Sequence, residues 1–140
     1  MSKKVRTLLI LSGLVIFLSW GFRLYVLYSR WEYDPFIILH FALALIFFSI
    51  GGFILLMAKK GAISSRKDYQ ILFYMALFTI LWWGFRWVKV TLYPEEDPNA
   101  RAHLHLASLY LVIGALLLLT GWKGQEKDKG KIKKIRNRLE

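Results

Sequence analysis

Two imidazoles and two guanidinium groups recur along this chain at matched spacings. Trp20-Gly21-Phe22-Arg23 is followed by Asp34-Pro35 and then His40, and Trp83-Gly84-Phe85-Arg86 is followed by Asp97-Pro98 and then His103. Each residue of the first set lies 63 positions before its counterpart, since 83 − 20, 97 − 34 and 103 − 40 are equal. A neutral imidazole can ligate a metal through one ring nitrogen, and a guanidinium can hold a carboxylate or phosphate in a planar fork. Other chemistry is excluded by composition or lacks a motif. The absence of cysteine removes disulfides, thiolate metal sites, iron–sulfur clusters and covalent haem attachment. No phosphate-binding glycine loop, HExxH run, paired intramembrane carboxylates or nucleophile with a base is present, so independent catalysis is not expected.

The elements that must position these groups are membrane helices. Hydrophobic residues make up 56% of the 140 positions and aromatics 16%, more than a water-soluble globule of this size can bury. The apolar runs predict an all-α integral membrane protein with helices at 8–29, 35–58, 69–92 and 99–122. Each run has the roughly 20 residues needed to cross about 30 Å of hydrocarbon. The first run follows basic residues, as a signal peptide would. With no small-residue cleavage site after it, and an internal counterpart later in the chain, it reads as a membrane helix. Asp34 and Asp97 stand where an N-cap belongs, each before a proline suited to the first helical turn.

Superposing residues 8–61 on 71–124 without a gap gives 19 identities in 54 positions. The expected organisation is therefore a tandem repeat of a two-helix unit. The first unit covers 8–61 and the second 71–122, with a connector at 62–70 and a basic tail at 123–140. Two copies of a two-helix unit have the same orientation, which predicts a four-helix bundle with a pseudo-two-fold axis along the membrane normal. The net charge of +11 does not point to nucleic acid. Fifteen of the 20 Lys and Arg lie in three patches (3–6, 59–67 and 123–138) that flank the apolar runs, so the positive-inside rule puts both termini in the cytoplasm. The tail is expected to attract anionic lipid first and a cytoplasmic subunit second.

On this topology Arg23, Arg86, His40 and His103 share a layer roughly 9 Å below the outer boundary, six residues from it at 1.5 Å each. The positions common to the second and fourth helices include His40/His103, Ala44/Ala107 and Gly51/Gly114, which trace one helical stripe. Leu14/Leu77, Leu18/Leu81 and Gly21/Gly84 trace another on the first and third. Small residues there imply close helix packing or room for a flat ligand. Two inward histidines on facing helices, with small residues and arginines nearby, suit a b-type haem. His40 and His103 would be its axial ligands, Arg23 and Arg86 its propionate partners, and Gly21, Gly84, Ala44, Ala107, Gly51 and Gly114 its slot.

The arrangement resembles the general plan of respiratory b-type cytochromes. That plan implies electron transfer between a quinone or membrane partner and an external redox protein, within a larger assembly of the prokaryotic cytoplasmic membrane. Gly51 and Gly114 stand where a second ligand pair would be, which limits the expectation to one haem. Other readings stay open. The histidines could pair with carboxylates or arginines in a cofactor-free structural or assembly subunit. The cluster could instead bind or transport an anion, a lipid headgroup or a quinone, and Arg23 and Arg86 could snorkel or pair with Asp34 and Asp97. His105, two residues past His103 and about 200° round the helix, is the alternative metal ligand. Lys89 has no basic counterpart and is expected to snorkel outward. The tryptophans and tyrosines near the outer boundary suit an aromatic belt.

Overall fold

The computed structural model of the protein describes residues 3–29, 36–60, 66–97 and 99–139. Among them it contains four α-helices and one short 3-10 turn, with no strand. The helices are α1 (Lys3–Ser29), α2 (Ile37–Lys60), α3 (Arg66–Leu92) and α4 (Ala100–Leu139), and the turn is Pro94–Glu96. All four are long and apolar enough to cross a membrane. Their outward sides carry large apolar groups, such as Ile38 at 76% exposure and Leu18 and Leu81 at 64%. Such surfaces require a lipid solvent. The chain is a multi-pass membrane protein.

Helix starts and ends differ from the apolar runs in a systematic way. α1 and α3 begin several residues earlier than their hydrophobic stretches, in basic segments. α4 continues from its membrane-crossing part (Ala100–Glu126) through positions expected to form a separate tail. Hydropathy marks where lipid contact stops, whereas a helix continues as long as its backbone bonds do. Lys, Glu, Gln and Arg are good helix formers and no proline intervenes after position 98. Asp34 and Pro35, the expected start of α2, and the connector residues 61–65 lie outside the described residues.

The chain divides into two compact units, Met1–Ile63 and Ser64–Glu140. The first is the hairpin of α1 and α2, the second that of α3 and α4. In the first hairpin the buried positions include Leu9, Gly13, Ile16 and Leu27 on α1, and Ala44, Phe47, Gly51, Ile54 and Ala58 on α2, with Ser12, Ile37, Ile50 and Met57 beside them. Spacings alternating between three and four residues keep one seam of each helix turned to its neighbour. In the second hairpin the seam is Leu72, Ala76, Thr79, Trp83 and Val90 on α3, and Ala107, Tyr110, Gly114, Leu117 and Gly121 on α4. Apart from Trp83, whose counterpart Trp20 is only partly buried, these positions are the first set displaced by 63.

Packing rather than exclusion from water holds each seam, because lipid tails solvate leucine as well as a protein interior does. Trp20 stacks on Phe47 with centroids 4.6 Å apart and planes at 10°. Trp83 stacks on Tyr110 at 4.5 Å and 10°. Each pair contributes roughly 0.5–1.5 kcal/mol beyond its contact area. Thr79, the buried polar group of the second seam, donates its hydroxyl to the Met75 carbonyl at 2.9 Å.

Candidate functional site at the turn of the second hairpin

The segment between α3 and α4 brings three charged or titratable side chains to one point. α3 ends where the Tyr93 N–H bonds to the Lys89 carbonyl, and the 3-10 turn then reverses the chain. Asp97 is extended (φ −125°, ψ 104°), the conformation favoured before a proline and required of an N-cap residue. Its Oδ1 accepts the Asn99 N–H at 2.9 Å, and its carbonyl accepts the Ala100 N–H at 3.0 Å. Asp97 thus caps α4, as its sequence position suggests.

The other carboxylate oxygen faces the hairpin. Asp97 Oδ2 lies 2.5 Å from His103 Nδ1 and 3.1 Å from Arg86 Nη2. Arg86 Nη2 is in turn 3.2 Å from His103 Nδ1. Six residues of cap and first helical turns bring His103 back over Asp97. Arg86 reaches the same oxygen from the last turns of α3. The Asp97 side chain is 13% exposed, against 30% for His103 and 37% for Arg86, so the carboxylate forms the sheltered centre of the cluster. Burial works against ionisation of Asp97. The hydrogen bonds from His103 and the Asn99 N–H, together with the charge of Arg86, outweigh it and hold the carboxyl below its ordinary value.

The remaining sequence-selected residues are distributed as follows. His40 is half-buried near the start of α2, with its N–H on the Phe36 carbonyl at 3.0 Å, and Arg23 is exposed on α1. Asp34, the counterpart of Asp97, lies outside the described residues. Gly21 faces the Phe48 ring, and Gly84 is nearest to Leu111. Ala44 and Ala107 are fully buried in the seams. A Cβ at Gly51 would stand 2.5 Å from the Phe17 backbone nitrogen, and one at Gly114 would stand 2.7 Å from an Ile80 side-chain carbon. Within its own hairpin, each of these small residues except the looser Gly84 is accounted for by close helix packing. Leu14, Leu18 and Leu81 point outward. His105 lies on the exposed side of α4, away from the cluster. Lys89 makes an exposed 3.6 Å pair with Glu96.

Asp97 is expected from the sequence as a cap and as an alternative partner of Arg86, and the structure shows both contacts; its bond to His103 is the part that no named pairing anticipated. The available signal was the constant six-residue interval from Asp to His in both copies. Among the described residues no three His, Cys, Asp or Glu side chains converge as a metal site would require of protein ligands alone. What the cluster can do chemically is hold one imidazole rigidly by Nδ1 next to a cation. Compared with protein-family models, curated proteins and solved structures, the chain matches none.

Proposed function

We propose that the chain is a subunit of a prokaryotic cytoplasmic-membrane assembly that binds one haem b. It would transfer electrons between a quinone or membrane partner and an external redox protein. The observation that supports this reading is the 2.5 Å contact between His103 Nδ1 and Asp97. Histidines that ligate metals commonly turn their other ring nitrogen to a carboxylate, which fixes the ring and raises its basicity. On this reading His40 and His103 are the axial ligands, supplied by two copies of a duplicated hairpin. The copies are related by a pseudo-two-fold axis along the membrane normal, with both termini in the cytoplasm. Arg86 retains the capacity to meet a propionate, because its contacts with Asp97 and His103 both use Nη2 and a guanidinium carries five N–H donors. The haem would supply one-electron transfer, and this chain's residues would bind and orient it.

The test is a reduced-minus-oxidised spectrum of the purified protein. Soret and α bands of a low-spin haem b are expected, and a colourless preparation refutes the proposal. A second reading is favoured by the packing. The seams account for Gly51, Gly114, Ala44 and Ala107, and Arg86 lies on Asp97, as expected of a cofactor-free structural or assembly subunit. A variant of it has Arg23 and Arg86 gripping an anionic substrate or headgroup. A colourless protein that loses anion binding on Arg86→Ala would establish that variant.

A further inference from the structure

We infer that Asp97 is the positioning residue of this site: it fixes the His103 proton on Nδ1, so that Nε2 is the atom presented to a ligand. The inference deepens the haem proposal and rests on it for the ligand's identity. The tautomer itself follows from the cluster.

Three atoms meet within hydrogen-bond distance of one another: Asp97 Oδ2, His103 Nδ1 and Arg86 Nη2. Arg86 is always a donor, so the oxygen it faces at 3.1 Å must be an acceptor. Two acceptor lone pairs cannot sit 2.5 Å apart without a proton between them. The Arg86 cation on the same oxygen keeps the carboxylate ionised, so the proton belongs to the ring nitrogen. His103 Nδ1–H therefore donates to Asp97, and the 3.2 Å approach of Arg86 Nη2 to Nδ1 is a consequence of both donors sharing one oxygen. In the neutral ring the single remaining lone pair is on Nε2. The opposite tautomer would leave Nδ1 bare against a carboxylate and turn an N–H towards the ligand.

The same carboxylate is anchored by its other oxygen. Oδ1 holds the Asn99 N–H in the first turn of α4, the helix that carries His103. The ring is thus fixed to its own helix by a loop of two bonds, and Arg86 ties that loop to α3. This arrangement places Nε2 by backbone geometry rather than by the free rotation of a side chain. Fixing the ring orientation and its basicity in this way accounts for the choice of Asp over the other N-cap residues. Ser, Thr or Asn would cap the helix equally well without orienting the imidazole in this sense.

Asp97→Asn separates the two duties. Asn is as good an N-cap as Asp, so the helix start is retained. Its amide N–H₂, facing Nδ1, favours a bare Nδ1 and moves the proton to Nε2, as amide-for-carboxylate exchange does in other Asp–His pairs. Nitrogen NMR of protein labelled at its three histidines reads the protonation of each ring nitrogen directly. The protein is used as purified and kept reduced, so that any low-spin haem iron is diamagnetic; His40→Gln and His105→Gln assign the signals.

In protein free of haem the expected result is a protonated Nδ1 and an unprotonated Nε2 for His103, with the pattern reversed in Asp97→Asn; where iron holds Nε2, only Nδ1 is read. If haem is present, its affinity falls about 10- to 100-fold in that variant, the usual effect of removing such a partner. Its midpoint potential rises as the ligand becomes less basic. An Nε2-protonated His103 in the wild type overturns the inference, whether or not the protein is coloured. So does an unchanged tautomer in haem-free Asp97→Asn or, where haem is bound, an unchanged affinity and potential. A colourless wild type with the Nδ1-protonated ring refutes haem binding and leaves the positioning role standing. Circular dichroism of Asp97→Asn verifies that the helices persist.

Discussion

The α1–α2 and α3–α4 hairpins fill equivalent slots with different residues, and the differences show which contacts are geometric requirements. At the first seam Gly51 lets the Phe17 backbone approach, whereas at the second Gly114 admits a side-chain carbon of Ile80. A backbone cannot turn aside, but an isoleucine can adopt another rotamer. The second hairpin also pushes its helices together further along, where Gly121 faces the backbone of Phe73 and the Tyr69 ring lies directly on Gly124. It accommodates polar groups where the first is apolar, with Thr79 opposite Ile16 and Tyr110 opposite Phe47 in the 63-residue register. The shared slot is a matter of helix spacing. The residue type within it is negotiable until a backbone or a charge depends on it.

The largest expected effect tests whether the two hairpins act as a pair. If the proposed haem is bound, His40→Ala and His103→Ala should each abolish its bands, while His105→Ala should leave them intact. Retention of the bands in either of the first two variants would mean that the hairpins do not contribute one ligand each. Next in size is the contrast between the seams. Gly51→Ala should destabilise the protein by about 1–3 kcal/mol through overpacking, with Gly114→Ala nearer the lower end, as read from unfolding in mixed micelles. Equal losses would remove the distinction between backbone and side-chain contact.

A smaller effect is expected in acid. The carboxyl of Asp97 is held below its ordinary value of about 3.9, so it contributes stability in full above that value. The contribution disappears as pH falls through the depressed native value. Wild-type unfolding should therefore become easier below about pH 4, while Asp97→Asn should lack that component of the slope. The smallest effect belongs to the exposed pair of Lys89 with Glu96, whose counterparts 63 positions earlier, Val26 and Tyr33, carry no such charges. Lys89→Ala should change stability by less than about 1 kcal/mol, and a larger loss would show that this pair is part of the Asp97 cluster.

How much of this was legible in advance depended on range. Hydropathy is a local property, and the four runs of membrane length corresponded to four helices. The cap at Asp97 was equally readable, because an N-cap is set by its own residue and the two that follow. The small residues were visible as a stripe, but a stripe does not say what fills it. In the structure the filling is Phe17 for Gly51 and Ile80 for Gly114, both from the neighbouring helix. The full extent of α4 is not legible from hydropathy, because the onset of polar residues marks the end of the lipid-facing segment and not of the helix.

The sequence by itself determined that this chain crosses a membrane in four helices, that its basic residues gather beside those helices, and that an Asp, a His and an Arg recur at fixed intervals. Only the tertiary structure decided that Arg86, eleven residues before Asp97 and on a different helix, reaches the same carboxylate oxygen as His103. The physical reason is that their meeting depends on how far the 3-10 turn carries the chain and on the register in which α3 packs against α4. That register is set by the whole seam from Leu72 to Val90 and not by the spacing of any three residues.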